Sequence, residues 1–318
     1  MKILHFSLGL YNFWTTYEGE YMNESLLRRP DVDLNVWGRD RVTYEPGLTC
    51  IDVVKKIYGN EYPDVVIFHS TMEKHDDPND RKVFEGIRDL GKHSTIVWRT
   101  FDCFKKKLPF YVKQIKAYHP HIVLVWYASQ AAELRSAIGQ ISHVCHFPHS
   151  VGRRYFNKMN AREYDIALIG RCDGVSLDSF PELKVYTPPH RETRPEKGNN
   201  LIDDLNQCMF SWNSPVKGDL ASLRFFESPA CGTISMVPKK FADLDQYFPS
   251  DSYCVCDSST ETCSNIIRTM DAREKWRIQQ RGYEVVMSNH TMDNRVDFLL
   301  DVVGGKNVYF YDYYGIKI

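Results

Sequence analysis

The feature that most constrains this chain is a strand–helix alternation that runs through its first half and then starts again. In the first half, strand-like segments such as residues 3–7, 64–69 and 121–126 alternate with segments of helical pattern. Largely uninterrupted apolar strands are typical of parallel sheets that are covered by helices on both faces. The alternation restarts at residues 164–170 and continues to a last helical segment at residues 293–303. The sequence therefore predicts two α/β domains in tandem.

The length of the chain fits this organisation. With 318 residues it is long for one hydrophobic core, and two domains of about 150 residues are the natural expectation. We predict a first domain over residues 1–150 and a second over residues 151–303. The remaining tail, residues 304–318, is rich in aromatic side chains. We expect it to pack back on the body of the protein, and the alternative is a dimer contact, because aromatic residues are enriched at interfaces.

Composition and charge argue against several classes of protein. A net charge of -1 and a pI near 6.8 give no electrostatic reason to expect a nucleic-acid partner or an acidic membrane. No apolar run reaches the roughly 20 residues of a membrane span, and the first residues lack the long apolar stretch of a signal peptide. The nine cysteines have no regular spacing, as expected for reduced thiols. We therefore expect a cytoplasmic protein without a transmembrane segment.

The segment most suited to chemistry is residues 217–232, where a polar loop leads into a predicted helix over residues 222–230. Unpaired backbone N–H groups at the start of a helix attract phosphate. We expect the N–H groups of Ala221, Ser222 and Leu223 to serve in this way. Lys217 or Arg224 could add positive charge against a leaving diphosphate, and a structural role is the alternative for Arg224.

This segment resembles the acidic-x7-Glu signature of retaining group-1, or family-4-like, glycosyltransferases. Asp219 and Glu227 have that spacing, and residues 228–232 resemble the Ala-x-Ala-x-Gly continuation of the family. Residues 289–300 are similar to the last helix of a subgroup related to spore-coat maturation glycosyltransferases. The resemblance extends over roughly residues 165–300. It implies the GT-B architecture, with two Rossmann-like domains and a cleft between them.

The resemblance also implies roles at the donor site. Glu227 would bind the ribose of the donor, and Asp219 would contact the donor sugar. The amides near Ser222 would hold the diphosphate, and Gly170 with Arg171 resembles the Gly-Arg pair that grips the distal phosphate. The chain departs from the family pattern in having Asp in place of the first Glu and no glycine-rich stretch after it. A helix N-cap is the alternative role of Asp219.

The resemblance places the acceptor on loops of the first domain. Gly9 would let the backbone approach the donor closely, because glycine has no side chain. His69 and Asp102 each follow a predicted buried strand, and either could act as a base or stabilise developing charge. The alternative for each is a polar residue that caps an element at the rim of the core.

We expect no cofactor and no metal. Two Asp-x-Asp pairs, at residues 31–33 and 243–245, resemble metal-binding motifs, but neither follows a buried strand, and we interpret both as surface acids. No Gly-x-Gly-x-x-Gly follows the first strand, which argues against an NAD enzyme.

These observations predict a hexosyltransferase that uses a nucleotide sugar, UDP- or GDP-linked. The acceptor would be a hydroxyl of a glycan, a protein or a small molecule, and transfer would retain configuration without a metal. Three alternatives stay open: an isomerase such as a nucleotide-sugar 2-epimerase, a glycosyltransferase that modifies DNA bases, and a binding module without catalysis.

Overall fold

A computed structural model provides the structure of the protein. It describes residues 1–7, 16–38, 41–69, 78–100, 106–158, 161–169, 172, 175–187, 198–215, 220–257 and 259–306.

The chain divides into two compact units. Unit 1 contains Met1–Pro148 together with the described residues from Arg295 onward, and unit 2 contains the described residues of His149–Asn294. We predicted that the second domain would extend to residue 303, whereas the structure returns the chain to unit 1 at Arg295. The predicted aromatic tail lies outside the described residues, except for residues 304–306.

Contacts within unit 1 explain the position of this boundary. The Arg295 guanidinium is fully buried and donates through Nε to the carbonyl of Pro148 at 2.8 Å. Two residues on, Asp297 pairs with Arg29 at 2.6 Å. A buried guanidinium requires acceptors, so this segment is held in unit 1 by polar contacts as well as by apolar packing.

The described residues of unit 1 form a parallel sheet of six strands. Its strands are β1 (Lys2–Phe6), β2 (Asp33–Trp37), β3 (Val65–His69), β4 (Thr95–Arg99), β5 (Ile122–Val125) and β6 (His143–His146), in the spatial order β2-β1-β3-β4-β5-β6. The helices between them are α1 (Thr16–Leu27), α2 (Cys50–Tyr58), α3 (Pro78–Arg81), α4 (Ile87–Leu90), α5 (Leu108–Tyr118) and α6 (Ala128–Ile138). All five residues of β3 are buried, as the apolar run predicted.

In the described residues of unit 2, five strands repeat the same order. They are β7 (Tyr164–Ala167), β8 (Val185–Tyr186), β9 (Cys208–Trp212), β10 (Ile234–Val237) and β11 (Cys254–Val255), in the order β11-β10-β9-β7-β8, and all pairs are parallel. Its helices are α7 (Gly198–Asn206), α8 (Arg224–Ala230), α9 (Thr260–Thr269) and α10 (Ala272–Asn289). A further helix, α11 (Met292–Val303), begins in unit 2 and continues in unit 1. The predicted fold class of two α/β domains is confirmed.

One predicted helix is wrong. The pattern of residues 81–90 predicts a continuous helix that Gly91 ends in the left-handed conformation. In the structure, a 3-10 turn at Lys82–Phe84 separates α3 from α4, and Gly86 has φ 87°. Gly91 has ordinary right-handed helical angles, φ -61° and ψ -14°. The residue that needs the conformational freedom of glycine is therefore Gly86, inside the predicted helix.

We expect Gly86→Ala to lower the free energy of unfolding by about 2–4 kcal/mol, because an added Cβ meets both left-handed strain and a neighbouring side chain. The nearest atom would be Cγ1 of Ile51 at 2.9 Å. Gly305→Ala is the matched control, since Gly305 has φ 83° and nothing within 4 Å of the added Cβ. It should cost only the strain, about 1 kcal/mol. Urea unfolding measures both variants, and equal losses would contradict a steric contribution from Ile51.

Candidate functional site

The strand order of each unit defines where it can bind a ligand. In open parallel sheets, ligands bind beyond the carboxyl ends of the strands, at the point where the strand order reverses. In unit 1 this point lies between β1 and β3, and in unit 2 it lies between β7 and β9. Gly170 and Arg171 follow β7 in the sequence, and His69 is the last residue of β3. His69 thus lies at the switch point of unit 1, whereas Gly170 and Arg171 lie outside the described residues.

In unit 2, Glu227 occupies the first turn of α8. The helix begins at Arg224, two residues later than the predicted start at Ser222, so Glu227 lies closer to the helix N-terminus than predicted. Its side chain is buried. The Tyr155 hydroxyl donates to Oε1 at 2.6 Å, and Nη1 of Arg224 lies 3.0 Å from Oε2.

These contacts fix the Glu227 carboxylate in place. A buried carboxylate is costly unless it is paired and hydrogen-bonded, and here Tyr155 and Arg224 supply both. A carboxylate has about four lone-pair positions, so two partners leave it able to accept further hydrogen bonds. Arg224 was predicted either to contact phosphate or to have a structural role. The structure supports the structural role, because Arg224 pairs with Glu227 one turn along the same helix. The contact between Tyr155 and Glu227 was not predicted, because the two residues lie 72 positions apart in the sequence.

The loop before α8 differs from the prediction at Ala221. We expected its N–H to be unpaired, but it donates to Oδ1 of Asp243 at 2.9 Å, and both residues are buried. Within the described chain, the N–H groups of Ser222 and Leu223 have no hydrogen-bond partner. The part of the prediction that concerns Ala221 is therefore wrong.

Asp243 was predicted to be a surface acid, and this is also wrong. Burial raises the pKa of its carboxyl group to about 6, against the opposing effect of the N–H bond from Ala221. The second acid of the pair, Asp245, is exposed and forms an ion pair with Lys240 at 2.5 Å. The Asp-x-Asp pattern in the sequence gives no sign of which of the two acids is buried. Only the fold shows that Asp243 faces inward and holds the loop that precedes α8.

In unit 1, His69 is brought against a second histidine. Nε2 of His69 lies 2.6 Å from Nε2 of His5 on β1, and the two rings are stacked with centroids 4.8 Å apart. Nδ1 of His5 lies 2.5 Å from Oδ1 of Asn23 on α1. All three side chains are buried. His5 and Asn23 were not among the predicted site residues, although a histidine inside an apolar strand is a signal that a polar partner exists.

Burial and nearby cations keep both imidazoles neutral. Burial lowers the pKa of His5 to about 4, with smaller contributions from Arg99 and Arg41. It also lowers the pKa of His69 well below its usual value, and His5 and Arg99 act in the same direction. Arg99 is itself buried and pairs with Glu18 at 2.5 Å. A desolvated histidine near an arginine favours the uncharged form.

The other predicted site residues lie outside the described residues. They are Gly9 and Asp102 in the first half of the chain, and Gly170, Arg171, Lys217 and Asp219 in the second. Their roles stay predictions.

The cysteines, acids and histidines of the described residues form no metal centre. These residues contain no group of three or more His, Cys, Asp or Glu side chains placed to hold a metal ion. Eight cysteines in this part of the chain are free thiols. Among the helices described, none is long and apolar enough to cross a bilayer.

Comparison with known proteins identifies a related family. Residues 153–301 match the model of a family described as glycosyl transferase-like. This stretch includes Tyr155, Glu227 and Asp243, the three residues whose contacts organise the start of α8 in unit 2. No curated protein sequence matches the chain.

Solved structures with the same fold cover nearly the whole chain. HepE from Anabaena, crystallised with UDP and glucose, has a TM-score of 0.61 at 10% identity, over 96% of this chain and 100% of HepE. Sucrose-phosphate synthase from Thermosynechococcus elongatus has a TM-score of 0.58 at 10% identity, with 96% and 98% covered. A UDP-N-acetylglucosamine 2-epimerase has a TM-score of 0.52 at 11% identity, with 97% and 98% covered.

At these identities the likeness shows the fold alone. Together with the two parallel sheets of identical strand order, it establishes the GT-B architecture of two Rossmann-like units. The fold is therefore that of GT-B proteins, and residues 153–301 are in addition similar to the glycosyl transferase-like family. The cleft expected between the units stays a prediction.

The raised pKa of Asp243 makes a test of its burial possible. A carboxyl group whose pKa is higher in the folded state than its usual 3.8 stabilises the fold increasingly as the pH falls from about 6 to about 4. Compared with Asp243→Asn, which cannot ionise, the natural protein should therefore gain stability between pH 7 and pH 4. We expect a gain of up to about 3 kcal/mol, since each unit of pKa corresponds to about 1.4 kcal/mol. Urea unfolding at both pH values measures it.

Asp245→Asn is the matched control for this experiment. The Asp245 carboxylate is 60% exposed, so the substitution should change the free energy of unfolding by no more than about 0.5 kcal/mol. Other titrating groups, His5 included, are common to all three proteins and cancel in the comparison. A difference between Asp243→Asn and the natural protein that is equal at pH 7 and pH 4 would show that Asp243 is not held in the way described.

Proposed function

We propose that the protein is a glycosyltransferase that transfers a hexose from a UDP- or GDP-linked donor to a hydroxyl of a glycan, a protein or a small molecule. The observation that carries the proposal is the held carboxylate of Glu227, which lies within the stretch that matches the glycosyl transferase-like family. An oriented carboxylate with free lone pairs suits two vicinal hydroxyls, such as those of a ribose.

The surroundings of Glu227 support a donor site in unit 2. The N–H groups of Ser222 and Leu223 precede α8 and are available to an anion, while Asp243 holds the preceding residue, Ala221. Amide donors fixed before binding stabilise the charge of a departing diphosphate at little cost in reorganisation. In this proposal Gly170, Arg171 and Lys217 add phosphate contacts, and Asp219 contacts the donor sugar. HepE, which has the same fold, was crystallised with UDP and with UDP-glucose.

Unit 1 holds the acceptor in this proposal. His69 contacts an acceptor hydroxyl, Asp102 assists it, and Gly9 allows the close approach of backbone to donor. Retention of configuration and independence of metal follow from the family that the sequence resembles. We also propose a place in the spore-coat-related subgroup, on the pattern of residues 289–300, and a cytosolic location, which the free thiols support.

A second candidate is a nucleotide-sugar 2-epimerase. An enzyme of that kind shares the fold at 11% identity. It would convert its sugar nucleotide with no acceptor present, whereas a transferase requires an acceptor hydroxyl. Incubation of the protein with each candidate donor alone, followed by chromatography of the sugar nucleotides, separates the two. A binding module without catalysis would bind the donor and leave it unchanged.

The donor site is tested by calorimetric titration with UDP-, GDP-, CMP- and dTDP-sugars. We expect one nucleotide class to bind selectively, and Glu227→Gln to weaken that binding at least tenfold, because two hydrogen bonds to the ribose are lost or weakened. Glu261→Gln is the control, since Glu261 is an exposed glutamate of the same unit, on α9. If the folded protein bound none of these sugars, or if Glu227→Gln bound as well as the natural protein, the proposal would fail.

The stereochemical course and the metal requirement are tested once a substrate pair is known. We expect proton NMR of the first-formed product to show the anomeric configuration of the donor. Dialysis against EDTA should leave the rate of transfer unchanged. An inverted product would contradict the proposed retention, and a rate lost to EDTA and restored by Mg²⁺ or Mn²⁺ would contradict metal-independent transfer.

A further inference from the structure

The outer side of helix α5 in unit 1 is uniformly basic. Lys113 and Lys116 of the helix, and Lys106 of the turn that leads into it, are exposed. At about 100° per residue, the three positions lie within about a quarter of the helix circumference. The other exposed residues of the helix, Pro109 and Ala117, are uncharged. We call Lys106, Lys113 and Lys116 the lysine face.

No acidic residue near the lysine face in the sequence offsets its charge. Residues 103–132 contain no Asp and no Glu, although the protein as a whole has a net charge of -1. Among the described residues, none of the three lysines has an ion-pair or hydrogen-bond partner. Other lysines differ in this respect, since Lys2, Lys240 and Lys306 each pair with a carboxylate. The charge of the lysine face is therefore available to a partner outside the chain.

The start of α5 carries positive charge where it does not help the helix. The N-terminus of a helix has a partial positive charge, so acids are favourable there and bases are unfavourable. The first turn of α5 has no acid, and Lys106 and Lys107 precede its first residue, Leu108. Lys107 occupies the N-cap without a side-chain hydrogen bond to the helix. These lysines do not stabilise the fold, which points to a role in contacts with another molecule.

The strand order places α5 inside a layer of helices. From β2 to β6 each connection runs in the same direction across the sheet, and right-handed connections then lie on one face. Residues of α2, α4, α5 and α6 accordingly share one hydrophobic cluster. The flanking helices α4 and α6 expose Arg88 and Arg135, and their acids are Asp89, which pairs with Lys92 at 2.6 Å, and Glu133. The uniformly basic α5 is thus the centre of a broad layer of mixed charge.

The chemistry of the lysine face suits a planar anionic surface better than a nucleic acid. Lys106 and Lys116 are ten residues apart, about 15 Å along the helix. A lysine ammonium is a hydrated and mobile point charge, so it contacts phosphate without a fixed geometry. The exposed residues of α5 include no aromatic side chain on which a base could stack and no arginine to read a base edge.

We propose that the lysine face binds unit 1 to the surface of a membrane that contains anionic phospholipids. The attraction is electrostatic and reversible, with the ammonium groups at the level of the lipid phosphates. Each basic residue near such a surface strengthens binding about fivefold, so the three together contribute about a hundredfold. The inference is independent of the proposed transfer reaction, because none of the three lysines belongs to the proposed donor or acceptor site.

Sedimentation of the full chain with lipid vesicles tests this inference. We expect binding to vesicles of equal parts phosphatidylcholine and phosphatidylglycerol at about 0.1 M salt. Binding should be lost at about 1 M salt, because salt screens the attraction, and it should be absent with phosphatidylcholine alone. A protein that does not bind the mixed vesicles, or that binds the neutral vesicles equally well, would overturn the proposal.

A triple substitution tests whether the lysine face is responsible. Lys106→Gln, Lys113→Gln and Lys116→Gln in one protein should weaken binding to the mixed vesicles about a hundredfold. The corresponding three substitutions by arginine keep the charge and should preserve binding. The glutamine variant should unfold at the same temperature as the natural protein or slightly above it, because a charge that opposes the helix dipole is removed. Unchanged vesicle binding in the glutamine variant would contradict the proposal.

The matched control combines Lys2→Gln, Lys240→Gln and Lys306→Gln. It removes the same net charge from lysines that already pair with carboxylates, so its vesicle binding should stay within about threefold of the natural protein. Equal losses in the two triple variants would show that net charge attracts the membrane and not the lysine face, which would overturn the proposal.

Duplex DNA and the nucleotide sugars complete the experiment. Binding to duplex DNA at the same salt that is as strong as binding to the mixed vesicles would overturn the assignment to a membrane. Donor affinity in the glutamine variant should equal that of the natural protein. If neither protein bound a nucleotide sugar, the transferase proposal would fail, while the vesicle result would still decide the role of the lysine face.

Discussion

Parallel strands bring their carboxyl ends to one edge of a sheet, and this constraint decides where both units can place polar chemistry. Each sheet is buried on both faces, so its strands are apolar along most of their length. Polar side chains are then confined to strand ends, to the helix turns beside them and to the few strand positions that find a partner. The two units share one strand order, and each therefore has a single reversal at which adjacent strands diverge.

The polar side chains near those strand ends differ between the two units. Unit 2 uses charge: Glu227 is buried against Arg224 and Tyr155, and a second buried acid, Asp243, holds the loop before the helix. Unit 1 uses neutral imidazoles, with its nearby charges held in arginine–carboxylate pairs. In the proposed enzyme, the held Glu227 carboxylate suits the ribose hydroxyls of a donor, and the amide donors before α8 suit its diphosphate. A hydroxyl acceptor needs no charge, and the second arrangement supplies none.

The sequence predicted the elements well and their mutual contacts poorly, for a physical reason. Apolar runs such as that of β3 carry their own signal, because burial on two faces excludes polar residues. The break in the predicted helix at Gly86 has no such signal, since the helical pattern of the surrounding residues continues through it. The contacts that define the site join residues far apart in the sequence: 22 residues separate Ala221 from Asp243, 64 separate His5 from His69, and 72 separate Tyr155 from Glu227. Such pairings depend on the strand order, which local patterns do not specify.

The two buried titrating systems have pKa values that are shifted in opposite directions. One of them therefore takes up a proton at a higher pH than the other. Asp243 has a raised pKa of about 6, so a proton reaches it first as the pH falls. Protonation removes the charge that its Oδ1 presents to the Ala221 N–H, and so weakens that bond while relieving the cost of a buried charge. His5 has a lowered pKa of about 4, so the imidazole pair stays neutral over the interval in which Asp243 titrates. Mild acid therefore acts on the loop before α8 in unit 2 and not on the histidine pair. In the proposed enzyme, the titration of Asp243 therefore concerns the donor side, and the histidine pair of unit 1 stays uncharged over the same interval.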